Sequence, residues 1–424
     1  MRVPEEFIYY LWKLNLLTGP LQTADGQKIT IINPGMLNQD SGPDFFNARI
    51  KIGDTEWAGN VEMHSAASDW IKHGHTKDKA YDSVILHVVY DCDTGIKNSH
   101  NEVIPCLSVK GHYPESVFFR YRKLISARDW IPCAANLKEV GDLVIFSWLD
   151  RLVIERLERK TANFEKLLEE TGNDWEETFY ITLARNFGFN TNSQPFENLA
   201  RSLPVKIIAK HKDDIFQIEA LLFGQAGLLN EKLNDEYNLK LLKEYLFLKK
   251  KYGLDNIKSY SWKFMRMRPV NFPTIRIAQF AQLLFKSKHL LSSILEIEKY
   301  EKLKGFFDVG VSDYWLDHYT FGTSSKKKYK TLGASSFDLI LINTIVPFLY
   351  VYGKRKDNRQ YINRAILFLQ QTKAENNGII KRWAASGVTA ANAAQSQALL
   401  TLKNDYCSNI RCLDCAIGNK ILNQ

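Results

Sequence analysis

The chain has 424 residues, of which 45% are hydrophobic and 24% are charged, and its formal net charge is +9. This composition is that of a globular protein and excludes a disordered or fibrous chain, and the length predicts two or three domains. We find no apolar run of about 18 residues, no signal-peptide pattern at the start and no secreted disulfide framework among the six cysteines, so we expect a cytoplasmic protein without a membrane partner.

The charge is unevenly distributed along the chain. Residues 1–130 contain 14 basic and 16 acidic residues, whereas the remainder contains 42 basic and 31 acidic residues. A basic carboxy-terminal part is typical of a surface that binds nucleic acid, although many basic helical proteins bind none.

The first quarter of the chain predicts an α/β domain. The predicted elements are, in chain order, a helix at 5–17, strands at 28–33, 45–52 and 55–64, a partly helical segment at 65–82, and strands at 83–91 and 102–109. Gly53-Asp54 is a hairpin signal between the second and third strands. The near-continuous apolar character of 83–91 predicts a strand that is buried on both faces.

Beyond residue 115 the apolar pattern is helical almost throughout. The predicted helices lie at 145–168, 175–187, 213–229, 236–252, 273–286, 289–301, 336–352, 358–371 and 391–403. We therefore predict an α/β domain at 1–115, a linker at 116–140 and a large, basic, all-α domain at 141–424.

Two acids and a histidine form the most informative pattern in the chain. Asp44 follows Pro43 at the start of one predicted strand, and Glu62 and His64 lie two residues apart on one face of the next. If the two strands form a hairpin, the two carboxylates meet near its open end, where Mg²⁺ can bridge them. The alternative is a turn cap beside a sheet acid that is satisfied by hydrogen bonds.

Two resemblances follow from these residues. The helix–β–β–β–α–β order, with Pro43-Asp44 on one strand and Glu62-x-His64 on the next, resembles the PD-(D/E)XK nuclease superfamily, whose core is the restriction-endonuclease fold. Over essentially its full length, from Pro4-Glu5-Glu6-Phe7 to Cys412-Leu413-Asp414-Cys415, the chain is similar to the bacterial DUF2851 family found mainly in Bacteroidetes.

The nuclease resemblance implies a role for each residue of the pattern. Asp44 and Glu62 would bind Mg²⁺ or Mn²⁺, and Glu5 or Glu6 on the first helix, of which we favour Glu6, would be an accessory acid. His64 stands where the superfamily has a lysine that orients water or stabilises charge. This departure matters because the charge of an imidazole depends on pH, and it is also compatible with a member that does not cleave.

His73 and His75 flank a glycine shortly after the Glu62-x-His64 strand. They can contact phosphate or protonate a leaving group in a nuclease pocket, or they can form a zinc site with His64. The third interpretation is an exposed loop. His87, inside an apolar strand, is expected to be a hydrogen-bonded core histidine.

Cys407, Cys412 and Cys415 have C-x4-C-x2-C spacing near the carboxy terminus, which is typical of thiolates that share a metal. A fourth ligand would be Cys133 or, as a second choice, Cys106. Structural zinc and a [4Fe–4S] cluster both fit the spacing, the latter also by resemblance to some nucleases of the suspected superfamily. The alternative is a set of reduced cysteines without metal.

In the helical part, Arg266, Arg268 and Arg276 alternate with aromatic residues, as in surfaces that contact phosphates and stack on bases. They can equally neutralise buried acids at a helix boundary.

The patterns together predict a Mg²⁺-dependent (or Mn²⁺-dependent) nuclease-like protein that acts on or binds DNA or RNA phosphodiesters. One alternative is a catalytically inactive nucleic-acid-binding or assembly protein that keeps the fold. The other is a zinc-dependent hydrolase built on His64, His73 and His75.

Overall fold

The chain forms two compact units in a computed structural model that describes residues 3–38, 40–257, 261–287 and 289–424. The first unit comprises Met1–Trp148 together with Leu402–Gln424, and the second comprises Leu149–Thr401. The predicted mixed architecture, an amino-terminal sheet followed by a large helical region, is confirmed. The units differ from the predicted domains because the last residues of the chain belong to the first unit.

Within the described residues, a sheet of seven strands forms the centre of the first unit. The strands are β1 (Leu21–Gln22), β2 (Lys28–Asn33), β3 (Met36–Leu37), β4 (Phe45–Ile52), β5 (Thr55–Ala66), β6 (Val84–Asp91) and β7 (Cys106–Ser108). Their order is β1-β2-β4-β5-β6-β7, with β3 beside the start of β4. The β1–β2, β2–β4, β3–β4 and β4–β5 pairs are antiparallel, whereas the β5–β6 and β6–β7 pairs are parallel.

The β4–β5 hairpin follows directly from local sequence. Side chains alternate between buried and more exposed positions along β4, and Ile52 pairs with Thr55 across a turn in which Gly53 has φ +59°. A glycine adopts this left-handed conformation without steric cost. β6 is buried along most of its length, as its apolar run predicts.

The described residues form eighteen α-helices. They are α1 (Glu5–Lys13), α2 (Asp69–Lys72), α3 (Glu115–Ile125), α4 (Asp142–Glu170), α5 (Trp175–Phe187), α6 (Phe189–Ser202), α7 (Val205–Ala209), α8 (Ile215–Gln225), α9 (Glu236–Tyr252), α10 (Pro273–Lys286), α11 (Leu290–Glu296), α12 (Tyr300–Phe306), α13 (Ala334–Ile340), α14 (Val346–Arg355), α15 (Arg359–Gln371), α16 (Gly378–Ala385), α17 (Ala393–Thr401) and α18 (Ala416–Leu422). π-Helical segments join α13 to α14 and follow α17. A short hairpin, β8 (His318–Thr320) and β9 (Thr323–Ser324), lies in the second unit.

α1 covers the centre of the sheet. Its buried face includes Phe7, Leu11 and Trp12, and it packs against β5 and β6. This packing places the half-buried edge of α1, which carries Glu5 and Tyr9, beside the start of β4.

The second unit is built from helix pairs, chiefly α5 with α6, α8 with α9, and α14 with α15. Aromatic contacts fill its core, for example Phe179 against Phe348 with ring centroids 4.7 Å apart. The helix predicted over 289–301 is divided into α11 and α12. Arg364 donates hydrogen bonds to the carbonyl groups of Leu295 and Ile297, and these tertiary bonds end α11.

The continuous helical stretch Ala334–Arg355 is long and apolar enough to cross a membrane, and 67% of its most apolar window is buried inside the protein. Its burial explains its composition, because the core helices of globular proteins have the same character.

Candidate functional site

Asp44 and Glu62 hold each other in place at the open end of the β4–β5 hairpin. The backbone N–H of Asp44 donates to Oε2 of Glu62 at 3.0 Å, and the N–H of Met63 donates to Oδ2 of Asp44 at 2.9 Å. The Tyr9 hydroxyl donates to Oδ1 of Asp44 at 2.8 Å. The two acids therefore lie side by side, as the hairpin predicts. Oε1 of Glu62 takes no part in these hydrogen bonds.

Oε1 of Glu62 faces a cluster of three histidines. It lies 3.6 Å from Nε2 of His64 and 3.5 Å from Nε2 of His75. Nε2 of His64 lies 3.0 Å from Nδ1 of His73, and one ligand nitrogen from each of the three histidines lies within 4.8 Å of the others. Nitrogen and oxygen ligands about 2.0–2.1 Å from a tetrahedral metal are about 3.3 Å apart, and these three individual separations of 3.0–3.6 Å are close to that distance.

The loop after β5 brings the histidines together. α2 follows β5 directly, and Gly74 with φ +82° reverses the chain between His73 and His75. His75 stacks on Tyr81 with ring centroids 3.8 Å apart, and the fully buried Trp70 packs edge-on against His75. The loop is thereby anchored by apolar packing, while His73 at its tip is exposed to solvent.

His87 on β6 lies behind His64 and fixes its orientation. Nε2 of His87 lies 2.8 Å from Nδ1 of His64, and Nδ1 of His87 is buried without a hydrogen-bond partner. A proton on Nδ1 of His64 that is donated to His87 leaves the Nε2 lone pair of His64 facing the cluster. Metal-binding histidines are commonly oriented through their second ring nitrogen in this way.

The two acids cannot easily both carry charge. Burial raises the pKa of Asp44 to about 6, although the bonds from Tyr9 and Met63 oppose the shift. Burial and the charge of Asp44 raise the pKa of Glu62 to about 9, and the bond from the Asp44 N–H opposes that shift. A nearby cation would favour the charged forms of both.

The two more buried imidazoles, those of His64 and His75, are held in the neutral form. Burial, followed by the neighbouring His73 and His75, lowers the pKa of His64 to about 3. Burial and His73 also lower the pKa of His75. Neutral imidazole is the form that binds metal ions, so His64 and His75 can accept one without first losing a proton.

A profile of the family described as "Protein of unknown function (DUF2851)" matches residues 5–378. The chain belongs to the DUF2851 family. Searches of curated proteins and of solved structures found no significant match to this chain.

Glu5, and not Glu6, is the acid of α1 that lies near the pair in this DUF2851 protein. The charge of Glu5 acts on Asp44, Glu62 and Tyr9, whereas Glu6 is exposed and acts on Tyr121 of α3. Helical geometry explains the difference, because Glu5 and Tyr9 are four residues apart and share one face of α1. This spacing was the signal that could have identified Tyr9 as a site residue.

Arg276 is buried and is not presented to solvent, which corrects the interpretation of this residue as a surface phosphate contact. Its guanidinium donates to Gln279, Asn271 and Ser336. The basic and aromatic pattern therefore belongs partly to the core of the second unit. In contrast, Arg266 and Arg268 are exposed.

The cysteines fall into two groups. Cys92 and Cys106 form a disulfide, which removes Cys106 as a metal ligand and departs from the expectation of reduced cysteines. Cys106 at the start of β7 lies opposite His87 of β6, and the chain turns back after β6 to bring Cys92 to it. The other four, which are all in the first unit, are the free cysteines Cys133, Cys407, Cys412 and Cys415.

The four free thiols lie close enough for their charges to interact. Burial, and then Cys415 and Cys412, raise the pKa of Cys133 to about 12. Burial raises the pKa of Cys407, with further contributions from the other three. The structure thus brings the predicted fourth residue, Cys133, to the carboxy-terminal three.

Proposed function

We propose that the first unit is a divalent-metal-dependent phosphodiester hydrolase whose metal ligands are Glu62, His64, His73 and His75. The observation that carries the proposal is the convergence of three imidazole nitrogens within 4.8 Å of one another, with Oε1 of Glu62 at 3.6 Å from Nε2 of His64 and 3.5 Å from Nε2 of His75. A metal held there would polarise a phosphoryl oxygen and lower the pKa of a bound water.

The donor set favours Zn²⁺ or Mn²⁺ over Mg²⁺. Imidazole nitrogen suits zinc and other transition metals, whereas Mg²⁺ prefers a shell of oxygen atoms and water. At the Mg²⁺ site that the sequence predicts between Asp44 and Glu62, both oxygens of Asp44 already accept hydrogen bonds, as does Oε2 of Glu62. Oε1 of Glu62 is the carboxylate oxygen of this pair that remains for a metal. Asp44 then serves to orient Glu62 through its backbone N–H.

Support for a phosphodiester substrate comes from the element order and the placement of the pattern. The helix α1, the antiparallel strands β2, β4 and β5 with the two-residue strands β1 and β3 beside them, the short helix α2 and the parallel strand β6 form this unit, with Asp44 directly before β4 and Glu62-x-His64 on β5. This arrangement resembles the PD-(D/E)XK nucleases, with a restriction-endonuclease-like core. His73 is the exposed member of the cluster, so a phosphate can approach a metal held there from the side of this residue.

A second candidate is a DNA- or RNA-binding protein, or an assembly protein, that keeps the fold without catalysis. The hydrogen bonds that satisfy Asp44 favour it, because they give this acid a structural role without any metal. The two candidates differ in whether a bound metal leads to cleavage.

The test uses the full-length protein after treatment with a chelator. Calorimetric titration with Zn²⁺, Mn²⁺ and Mg²⁺ measures binding, and labelled single- and double-stranded DNA and RNA measure cleavage. The variants are Glu62→Gln and His75→Ala. His100→Ala is the matched control, because His100 is an exposed histidine of the same unit that pairs with Asp82.

We expect one equivalent of Zn²⁺ or Mn²⁺ to bind to wild type and to His100→Ala, with affinity at least about tenfold weaker in His75→Ala. Cleavage should fall to background in both site variants. Metal and nucleic-acid binding without cleavage of any substrate would establish the non-catalytic candidate. Cleavage that needs only Mg²⁺ and survives His75→Ala would contradict the histidine ligands.

A further inference from the structure

Four thiols from two distant parts of the chain meet in the first unit. Cys133 precedes a 3₁₀ turn over residues 134–139, and α18, which follows Cys415, packs against that turn. Two further contacts join the same segments: Trp148 packs edge-on against Tyr406, and the ammonium group of Lys403 lies over Trp130. The convergence therefore rests on packing along both segments.

The Cys412–Cys415 turn is fixed by the backbone of α18. The N–H groups of Ile417 and Gly418 donate to the sulfur of Cys415. A side chain at Gly418 would begin 2.1 Å from the carbonyl oxygen of Cys412, so only glycine allows this approach. Cys412 and Cys415 are buried, as is Cys133, at 6–8% exposure.

Buried thiols with backbone donors around a sulfur suit thiolates in a metal centre. A metal-bound cysteine is deprotonated, and its negative charge is then shared with the metal and with N–H donors.

We propose that Cys133, Cys407, Cys412 and Cys415 together ligate an iron–sulfur cluster that ties the carboxy-terminal segment to the rest of the first unit. Four sulfurs at about 2.3 Å from a single tetrahedral zinc would be about 3.8 Å apart. Among residues 3–38, 40–257, 261–287 and 289–424, ligand atoms within 4.8 Å of one another are found in the histidine cluster. No three of the four cysteine sulfurs lie that close together, so they do not surround a single zinc ion. A cluster has its irons at separate corners and takes thiolates that stand further apart.

This centre does not depend on the proposed hydrolase. It shares no ligand with the histidine cluster, and its role here is to hold a chain segment. Either site can therefore be present without the other.

The test measures metal in the full-length protein purified without oxygen. Iron, acid-labile sulfide and zinc are counted per chain, and the visible absorption of the protein is recorded before and after reconstitution with iron and sulfide. The variants are single cysteine-to-serine replacements at the four positions. The control is the double replacement Cys92→Ser/Cys106→Ser, which removes the two cysteines of the disulfide. The zinc content is also measured in His75→Ala, so that zinc bound at the histidine cluster can be distinguished from zinc bound at the cysteines.

We expect iron and sulfide in equal amounts with visible absorption in wild type and in the control, and loss of both in each of the four serine variants. After removal of the cluster, a protease should cleave within residues 402–424 more rapidly. One zinc per chain without sulfide, lost in the same variants, would overturn the cluster and leave a single-ion centre. Wild-type protein that takes up no metal, with all four thiols reacting freely in the folded state, would overturn the site altogether, and this result needs no variant to fold.

Discussion

Replacing Glu62 with glutamine should stabilise the metal-free first unit and destabilise the metal-bound one. Glu62 is 5% exposed, and folding raises its pKa from 4.5 to about 9. Between these two values the Glu62 carboxyl binds more protons in the folded protein than in the unfolded chain. Its contribution to stability is therefore highest below pH 4.5 and falls as the pH rises towards 9. At pH 7.5 the penalty is at most about 4 kcal/mol, since one pKa unit corresponds to about 1.4 kcal/mol. Glutamine removes the titration and keeps an oxygen that can accept the Asp44 N–H.

The assay is hydrogen–deuterium exchange of β4–β6 peptides in increasing urea, which reports the opening free energy of the first unit alone. It is run at pH 5 and pH 7.5, with chelator and with Zn²⁺. With chelator at pH 7.5 we expect Glu62→Gln to be more stable than wild type, with a smaller difference at pH 5. With Zn²⁺ the order should reverse, because the variant has lost a ligand. A variant that is less stable than wild type in chelator at pH 7.5 would refute the reasoning, since Glu62 would then be a satisfied structural acid.

Three further substitutions test other parts of the first unit. Gly59→Ala puts a Cβ 2.4 Å from a side-chain carbon on β6 and should lower the free energy of unfolding, measured in urea, by about 1–3 kcal/mol. In the control Gly95→Ala the new Cβ has no atom within 4 Å, and the free energy of unfolding should change by no more than about 0.5 kcal/mol. Equal effects of the two substitutions would contradict the close approach of β5 and β6. Tyr9→Phe removes the bond to Asp44 and should cost about 1–2 kcal/mol in the same experiment, and an unchanged midpoint would show that this bond is not formed in solution. His87→Leu should weaken Zn²⁺ binding by about 10–100-fold in a chelator competition while the protein stays folded, and unchanged affinity would exclude an orienting role for this histidine.

The parts of the first unit that follow from local chemistry were predictable. The bounds of β2 and β4 agree with the predicted strands, because period-two alternation and the Gly53 turn act over a few residues. The meeting of Asp44 with Glu62 follows from the hairpin register. These features need no information from the rest of the chain.

The histidine cluster needed tertiary information. Sequence places His73 and His75 in a polar loop, and only the left-handed Gly74 and the burial of Trp70 turn both rings towards His64. The choice of Glu5 over Glu6 likewise depends on which face of α1 packs on the sheet. For the cysteines, spacing identified three of the group. The pairing of Cys106 with Cys92 depends on the path of the chain after β6, which spacing does not show.

The discontinuity of the first unit has a consequence for how this protein is made. A ribosome delivers residues 149–401 before residues 402–424 exist, so the second unit can fold while the first still lacks its final segment. A chain that stops near residue 400 would keep nearly all of the sheet and the complete histidine cluster, yet Cys133 would have lost its three thiol neighbours. The first unit is thus assembled only after residues 402–424 have been made, and a chain that stops before them should leave a product that quality-control proteases recognise by its exposed α3 and 3₁₀ turn.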